Sequence, residues 1–273
     1  HAAFNFDFLR AGWDAGAIRS AVDVTLDSLQ AAAAPATWVL SSHDETRHAS
    51  RFGRAETRAS IIGFDIDPTT DRVLGERRAR AAALLQLALP GIASLYQGDE
   101  LGLPEVTDLP EEVLQDPIWE RSGRTSRGRD GCRVPLPWAG TEPPFGFSTP
   151  GTRTWLPQPA DWGRWTIATQ RLDPDSMLNL YRAALALRRS LPELRTEQFG
   201  WLHAPDGVLA FHRGGAFSCV VNFGPEPYPL DGERFRVALA SVPVPGAVLP
   251  PDAAVWLLDR DGKAGDASHA AVA

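Results

Sequence analysis

The feature that most constrains the fold is an alternation of strand-like and helix-like segments over roughly the first two thirds of the chain. Alternating aromatic residues predict a first strand at Phe4–Phe8, and short apolar runs predict two more at Thr37–Ser41 and Ile92–Tyr96. Strands that alternate with helices pair in parallel and are covered by those helices. The sequence therefore predicts an α/β fold in this part of the chain.

The predicted helices are located by apolar spacing and by the residues at their ends. The first follows Asp14, whose carboxylate can cap it, and the second runs from Gly75 to Leu89 before Pro90 ends it. The third opens at Asp173-Pro174, with Asp as N-cap and Pro at the first helical position. The long connection that precedes it is of a length that is rare in proteins unless the loop is functional.

From about residue 195 the pattern changes to short apolar runs separated by turn signals such as Pro205-Asp206-Gly207. The runs are Phe199–Leu202, Val208–Phe211, Phe217–Val221, Arg236–Leu239 and Val255–Leu258. They predict a small antiparallel β domain, which divides the chain into a first domain at 1–194 and a second at 195–273. The tail from Asp259 onwards is predicted to fray.

Composition excludes several classes of partner. The formal net charge is −7 and the isoelectric point about 5.4, and an acidic protein repels phosphate backbones and anionic lipid surfaces. Cys132 and Cys219 lie far apart in different contexts, so we expect two buried reduced thiols in a cytoplasmic protein. Neither has a His or Cys at metal-binding spacing, so we expect no metal there. No nucleotide-binding glycine loop or other cofactor motif is present. The first residues, from His1, resemble the middle of a strand and not its beginning. We therefore expect a further segment before them.

Longer motifs occur at Val39–Gly53, Leu89–Gly102, Asp116–Trp138 and Gln170–Leu178. In this order they resemble the segment after the seventh barrel strand, the eighth strand with its exit loop, the pocket loop and the last barrel helix of the α-glucosidase branch of the α-amylase superfamily (glycoside hydrolase family 13). The resemblance implies about strands 6–8 of a (β/α)8 TIM barrel, followed by a small antiparallel β-sandwich domain. Active sites of such barrels lie at the carboxyl ends of the strands.

The resemblance also implies a mechanism and a set of site residues. Family members cleave glycosidic bonds with retention, using an Asp nucleophile and a Glu acid/base. Asp44 matches a third carboxylate, which stabilises the transition state, and His43 matches a His that donates a hydrogen bond to the same sugar ring. Arg129 matches an Arg that holds the terminal glucose. Phe145 and Phe147 resemble an aglycone-side loop where an aromatic ring can stack on sugar.

Each of these matches has an alternative. Arg129 could instead form a structural ion pair with Asp130 or Glu120, and the two phenylalanines could simply pack in a core. His43 and Asp44 could be a hydrogen-bonded His and a helix-capping Asp. The family has Asn at the position of Ser42, so the positioning of His43 is expected to be less tight.

The nucleophile and the acid/base end the fourth and fifth strands in the family, and this chain has no match to either. Gly63-Phe64-Asp65-Ile66-Asp67 superficially resembles the nucleophile segment. It lies downstream of Asp44, however, and has Asp65 where the family has Arg, so we interpret it as a chance match. The chain alone is therefore expected to be inactive.

The function implied for the full-length protein is hydrolysis of terminal α-linked glucose from short α-glucosides of the maltose and isomaltose type. Two alternatives stay open at this stage. One is a non-catalytic α-amylase-like binding or regulatory protein. The other is a trehalose- or sucrose-acting transglycosylase or isomerase of the same superfamily. The expected partner is a small oligosaccharide, with no nucleic acid, membrane or cofactor.

Overall fold

The computed structural model describes residues 3–30, 34–59 and 69–261. The chain divides into two compact units, each made of separated segments. The first unit comprises His1–Val39, Arg77–Ser94 and Tyr181–Ala273, and the second comprises Leu40–Glu76 and Leu95–Leu180. The domain boundary between residues 194 and 195 stays a prediction. The Gly63–Asp67 segment and most of the tail lie outside the described residues.

Apart from the first predicted strand, the secondary-structure elements follow the predicted alternation. The helices are α1 Phe6–Arg10, α2 Ala15–Gln30, α3 His48–Arg51, α4 Arg72–Ala88, α5 Pro117–Arg121, α6 Ile167–Leu172 and α7 Met177–Ser190. The strands are β1 Thr37–Val39, β2 Ile92–Ser94, β3 Phe199–Trp201, β4 Val208–Arg213, β5 Phe217–Asn222, β6 Tyr228–Pro229, β7 Phe235–Ala240, β8 Val248–Leu249 and β9 Ala253–Asp259. Short 3₁₀ turns fill parts of the long connections, among them Asp99–Leu101 and Asp130–Arg133.

The first predicted strand at Phe4–Phe8 is wrong, because helix α1 begins within this segment, at Phe6. The side chain of Asn5 accepts a hydrogen bond from the Phe8 amide at 2.9 Å, which is the geometry of a helix N-cap. The alternation of aromatic residues suggested a buried strand face, but Phe4 and Phe6 are exposed while Phe8 and Leu9 are buried. Two adjacent buried residues fit one side of a helix and not one face of a strand.

The other two predicted strands pair in parallel, with Thr37 opposite Ile92 and Val39 opposite Ser94. Both are shorter than predicted. Within the same unit the side-chain amide of Gln86 on α4 donates to the carbonyl oxygens of Trp38 and Ser94, each at 2.9 Å. One buried amide thus satisfies carbonyl groups on both strands, which favours a fixed position of the helix on the pair.

The predicted helix boundaries are confirmed at one place and wrong at another. Asp14 accepts a hydrogen bond from the Ala17 amide at 2.7 Å and so caps α2 as expected. Helix α7 begins at Met177, later than predicted, and Ser176 is its cap, accepting from the Asn179 amide at 3.2 Å. Asp173 instead closes a local turn by accepting from the Asp175 amide at 3.0 Å.

The predicted runs after residue 195 pair antiparallel, in the order β3-β4-β5-β9-β7, and β6 pairs with β8. Side chains of both sheets share a buried cluster, which contains Leu202, Val208, Ala210, Val220, Tyr228, Phe235, Leu249, Ala253, Val255 and Leu257. Strand β5 is buried along its whole length because it lies between two neighbours. β6 and β8 have only two residues each, and the apolar pattern of the sequence did not reveal them.

The second unit has its own buried cluster, made mostly of loop residues. Its members are Leu101, Leu103, Val106, Leu109, Val134, Phe145, Leu156, Trp162 and Trp165. Two of the nine Trp residues therefore anchor the long connection by packing. This core supports the loop that carries Asp116, Arg129 and Arg133.

Candidate active site

Shortly after β1, a tight turn places His43 and Asp44. Ser42 is buried, and its hydroxyl accepts a hydrogen bond from the Asp44 amide at 3.2 Å. A hydroxyl that accepts from the amide two residues on closes a small local turn. The Ser that replaces the Asn of the family motif therefore holds the backbone of Asp44 directly.

The structure brings together His43, Asp44 and Arg129. Arg129 Nη1 donates to Asp44 Oδ1 at 2.7 Å, and His43 Nε2 lies 3.3 Å from the other oxygen, Oδ2. The side chains of His43 and Asp44 are 64% and 43% exposed. The carboxylate thus has one oxygen held by a cation and the other beside an accessible imidazole, an arrangement that can bind adjacent hydroxyl groups of a sugar.

Arg129 is held in turn by Asp116, whose side chain is buried. Asp116 accepts from Arg129 Nε at 2.5 Å, from Nη2 at 3.2 Å and from the Arg129 amide at 2.9 Å. Burial raises the pKa of the Asp116 carboxyl, but the hydrogen bonds from Arg129 and from the Ile118 amide outweigh it and lower the pKa to about 2. The same bonds raise the pKa of Arg129, so the pair is charged at any physiological pH.

Arg129 pairs with Asp116 and Asp44, and the alternative ion pair with Asp130 or Glu120 is wrong. Asp130 lies near Arg133, at 3.7 Å, and its Oδ2 accepts from the Gln115 and Asp116 amides. Glu120 pairs with Arg124. No sequence pattern pairs Asp116 with Arg129, although the position of Asp116 before Pro117 is a recognisable signal for a helix cap.

The two phenylalanines of the predicted aglycone loop lie in different environments. Phe145 is fully buried in the cluster of the second unit, whereas the Phe147 side chain is half-exposed. The packing alternative therefore describes Phe145 in this structure. Only Phe147 presents ring surface that a sugar can reach, and sugar stacking on it stays a prediction.

A buried group of polar side chains lies under the loops of the second unit. Glu105 accepts from the Arg47 amide at 3.0 Å, and the Arg47 guanidinium donates to the carbonyl oxygens of Gln97 and Cys132, each at 2.8 Å. Burial raises the pKa of Glu105 to about 7, against the smaller opposing effect of Arg47. Arg47 thereby joins the loop after β2 to the 3₁₀ turn that contains Cys132.

A second buried group contains Ser41, His48 and Asp99. The Ser41 hydroxyl lies 2.7 Å from His48 Nδ1, and Asp99 Oδ1 lies 3.5 Å from the same nitrogen. All three side chains are buried, so this is not an accessible nucleophile with its base. Their hydrogen bonds join the turn before His43 to helix α3.

Neither a metal site nor a membrane span emerges from the part of the chain that the structure describes. Among residues 3–30, 34–59 and 69–261, no group of three or more His, Cys, Asp or Glu side chains is placed to hold a metal ion. None of the described helices combines the length and apolar character needed to cross a bilayer. Cys132 and Cys219 are buried and free, as expected.

The family model for the α-amylase catalytic domain matches residues 5–197, which include every residue of this site. The chain belongs to the α-amylase family. Among curated relatives, a probable α-glucosidase of Rhizobium meliloti (strain 1021) is 33% identical over 194 residues, which cover 70% of this chain and 32% of that protein. Maltase A1 of Drosophila melanogaster is 28% identical over 252 residues, which cover 86% and 38%.

Solved structures of α-amylase-family enzymes resemble the chain along most of its length. The α-glucosyl transfer enzyme XgtA matches with a TM-score of 0.71 and 28% identity, covering 94% of this chain and 46% of that one. Isomaltulose synthase PalI from Klebsiella sp. LX3 matches with a TM-score of 0.74, covering 95% and 51%, but at 22% identity it supports the fold alone. The chain spans about a third of the length of the curated relatives and about half of these structures.

Proposed function

We propose that this chain supplies part of the active site of a retaining α-glucosidase that removes terminal α-linked glucose from short maltose- and isomaltose-type oligosaccharides. The observation that carries the proposal is the Asp44 carboxylate, which is partly exposed, held at Oδ1 by Arg129 and flanked at Oδ2 by His43. The α-glucosidase and maltase names of the curated relatives support the same reaction class.

In this proposal Asp44 and His43 act on the sugar ring at which the bond breaks. The transition state of glycoside cleavage carries positive charge on that ring. A preorganised carboxylate that binds a ring hydroxyl stabilises this charge more than it stabilises the neutral substrate. Arg129 orients the carboxylate through its hydrogen bond to Oδ1. The nucleophile and the proton donor come from residues that have no match in this chain.

The proposal extends to the architecture and setting of the protein. The first part of the chain would be about strands 6–8 of a (β/α)8 barrel at 1–194, and residues 195–273 would form a β-sandwich. Phe147 would contact the aglycone side of the substrate. The substrate would be a small oligosaccharide in the cytoplasm, with no metal or organic cofactor.

One second function has a specific observation in its favour. The XgtA structure, at 28% identity, is that of an α-glucosyl transfer enzyme. A covalent glucosyl intermediate can pass to water or to a second sugar, so both reactions can use the same Asp44 site. Product analysis on maltose and on sucrose separates them, since hydrolysis releases glucose while transfer forms new glucosides or sucrose isomers.

The test of the proposal is Asp44→Asn in an intact enzyme that also contains the nucleophile and the acid/base. We expect kcat on maltose to fall by roughly 10²–10³-fold, because the amide cannot stabilise the developing charge. Circular dichroism should show an unchanged fold. Asp108→Asn, at an exposed position of the same unit, is the matched control and should keep wild-type turnover. Wild-type kcat in D44N would contradict the role of Asp44, and no glucoside turnover by the wild type would favour a binding protein.

A further inference from the structure

We infer that Arg133 is a positioning residue, which aligns His43 and Asp44 for the proposed reaction by binding both at once. The inference rests on the proposed function of Asp44. No motif of the sequence singled out Arg133, and its role emerges only from the side-chain geometry of the loop that carries it.

Arg133 contacts the two site residues through neighbouring donors of its guanidinium. Nε donates to the His43 carbonyl oxygen at 2.9 Å, and Nη2 donates to Asp44 Oδ1 at 3.3 Å. Nε and Nη2 belong to one rigid planar group, so the two acceptors are held at a fixed separation. One side chain thereby restrains both the peptide that joins His43 to Asp44 and the Asp44 carboxylate.

The other carboxylates around Arg133 are more distant, and each already binds other donors through one or both of its oxygens. Asp116 Oδ2 lies 3.9 Å and Asp130 Oδ1 lies 3.7 Å from Arg133 Nη1. Asp116 is bonded to Arg129, and Asp130 accepts backbone amides through Oδ2. These acids supply negative charge behind the guanidinium, while its two hydrogen bonds are directed to His43 and Asp44.

Both arginines converge on one oxygen of Asp44. Arg129 Nη1 and Arg133 Nη2 bond to Oδ1, which leaves Oδ2, beside His43 Nε2, for the sugar. Without Arg133 the carboxylate keeps its Arg129 bond but can rotate about it, and the His43 carbonyl oxygen loses the hydrogen bond from Arg133 Nε. Misalignment affects the transition state more than the bound substrate, because the stabilising contact strengthens only as charge develops.

The experiment compares Arg133→Gln and Arg133→Lys with Arg124→Gln in the intact enzyme. Arg124 is an exposed arginine in the same loop that pairs with Glu120, and is the matched control. We expect R133Q to lower kcat by roughly 10–100-fold with KM changed less than about threefold, since misplaced groups cost up to about 10²-fold. R133K should recover only part of the loss because an ammonium group cannot reproduce the planar fork. R124Q should match the wild type.

The double variant D44N/R133Q decides whether Arg133 acts through Asp44. If it does, adding R133Q to D44N lowers kcat little further, because the two changes remove the same interaction. An undiminished second loss would overturn the inference. So would wild-type kcat in R133Q when D44N is impaired. Wild-type kcat in D44N would overturn the proposed function and, with it, the role of Arg133.

Should R133Q fail to fold, R133K keeps the inference testable, because it retains the positive charge beside Asp116 and Asp130. We expect R133K to have a kcat about tenfold below that of the wild type at a similar KM, in line with imperfect alignment. Wild-type kcat in a folded R133K protein would show that charge alone suffices and would overturn the inference.

Discussion

At the scale of single residues, two glycines of the same loop show how the backbone is built around Asp116. Gly123 and Gly128 both have φ of +67°, in the left-handed region that L side chains rarely adopt. A Cβ at Gly128 would lie 2.7 Å from the Cβ and Cγ of Asp116, whereas a Cβ at Gly123 would meet no atom within 4 Å. A side chain at position 128 would therefore clash with Asp116 and also strain the backbone, whereas a side chain at position 123 would only strain the backbone.

We expect Gly128→Ala to impair the enzyme and Gly123→Ala to leave its activity unchanged. Both substitutions incur the left-handed backbone cost of roughly 1–2 kcal/mol. G128A in addition displaces Asp116, and through it Arg129 and Asp44, so kcat should fall about tenfold or more. Steady-state kinetics and melting temperatures of both variants make the comparison. Equal activities would show that Asp116 does not need its present position.

At the scale of elements, the carboxyl end of α4 depends on side chains from elsewhere in the first unit. Arg213 on β4 donates to the Ala88 carbonyl oxygen at 2.6 Å, and Arg188 on α7 donates to the carbonyl oxygen of Leu87 and, at 3.1 Å, to that of Leu89. The last carbonyl groups of a helix have no partner within it. These donors replace the glycine cap that many helices use.

We expect Arg213→Ala to destabilise the protein by about 3 kcal/mol, since each buried carbonyl left without a donor costs about 1–3 kcal/mol. The carbonyl oxygens of Ala88 and Gln198 both accept from Arg213. Arg236→Ala, at an exposed position on β7, is the control and should change stability by less than about 0.5 kcal/mol. Denaturant unfolding measures both, and a small effect of R213A would mean that water replaces the arginine.

At the scale of the whole molecule, the buried Glu105 predicts how stability depends on pH. Burial raises its pKa from the ordinary 4.5 to about 7, so between these values the folded protein holds a proton that the unfolded chain has released. Stability then falls as pH rises, because the folded state binds more protons. Above about pH 7 the cost of an ionised buried carboxylate is fully present.

We expect Glu105→Gln to remove this part of the pH dependence. The melting temperature of the wild type should fall more between pH 5 and pH 8 than that of E105Q, because glutamine has no proton to release. Glu142→Gln, at an exposed position of the same unit, should keep the wild-type slope. Equal slopes in wild type and E105Q would show that Glu105 does not titrate in this range.

A second prediction at this scale concerns the 273-residue chain by itself. It contains no match to the nucleophile or the acid/base of the family, and loss of such a group costs orders of magnitude in rate. We expect no release of p-nitrophenol from p-nitrophenyl α-glucoside and no glucose from maltose. Clear turnover by the purified chain would show that residues within it serve both roles.

Particular elements show how much of the fold could be predicted from the sequence alone. The period of the apolar residues predicted α2, β1, β2 and the longer antiparallel strands, because burial of one face leaves that trace in any sequence. Aromatic alternation failed at Phe4–Phe8, where the Asn5 cap favours a helix. The sequence alone could not place the start of α7. Asp173 and Ser176 are both residue types that cap helices, and only their surroundings in the folded chain determine which one does so.

The sequence by itself determined the family, the α/β pattern followed by antiparallel strands, and the residue types His43, Asp44 and Arg129 at their motif positions. Only the tertiary structure determined which side chains hold these residues in place and which groups remain accessible. Arg129 is anchored on Asp116, Arg133 joins the Asp44 oxygen that Arg129 holds, and Phe145 is buried while Phe147 is not. The physical reason is that hydrogen bonds between residues far apart in the chain depend on side-chain direction, and no local pattern of residues records that direction.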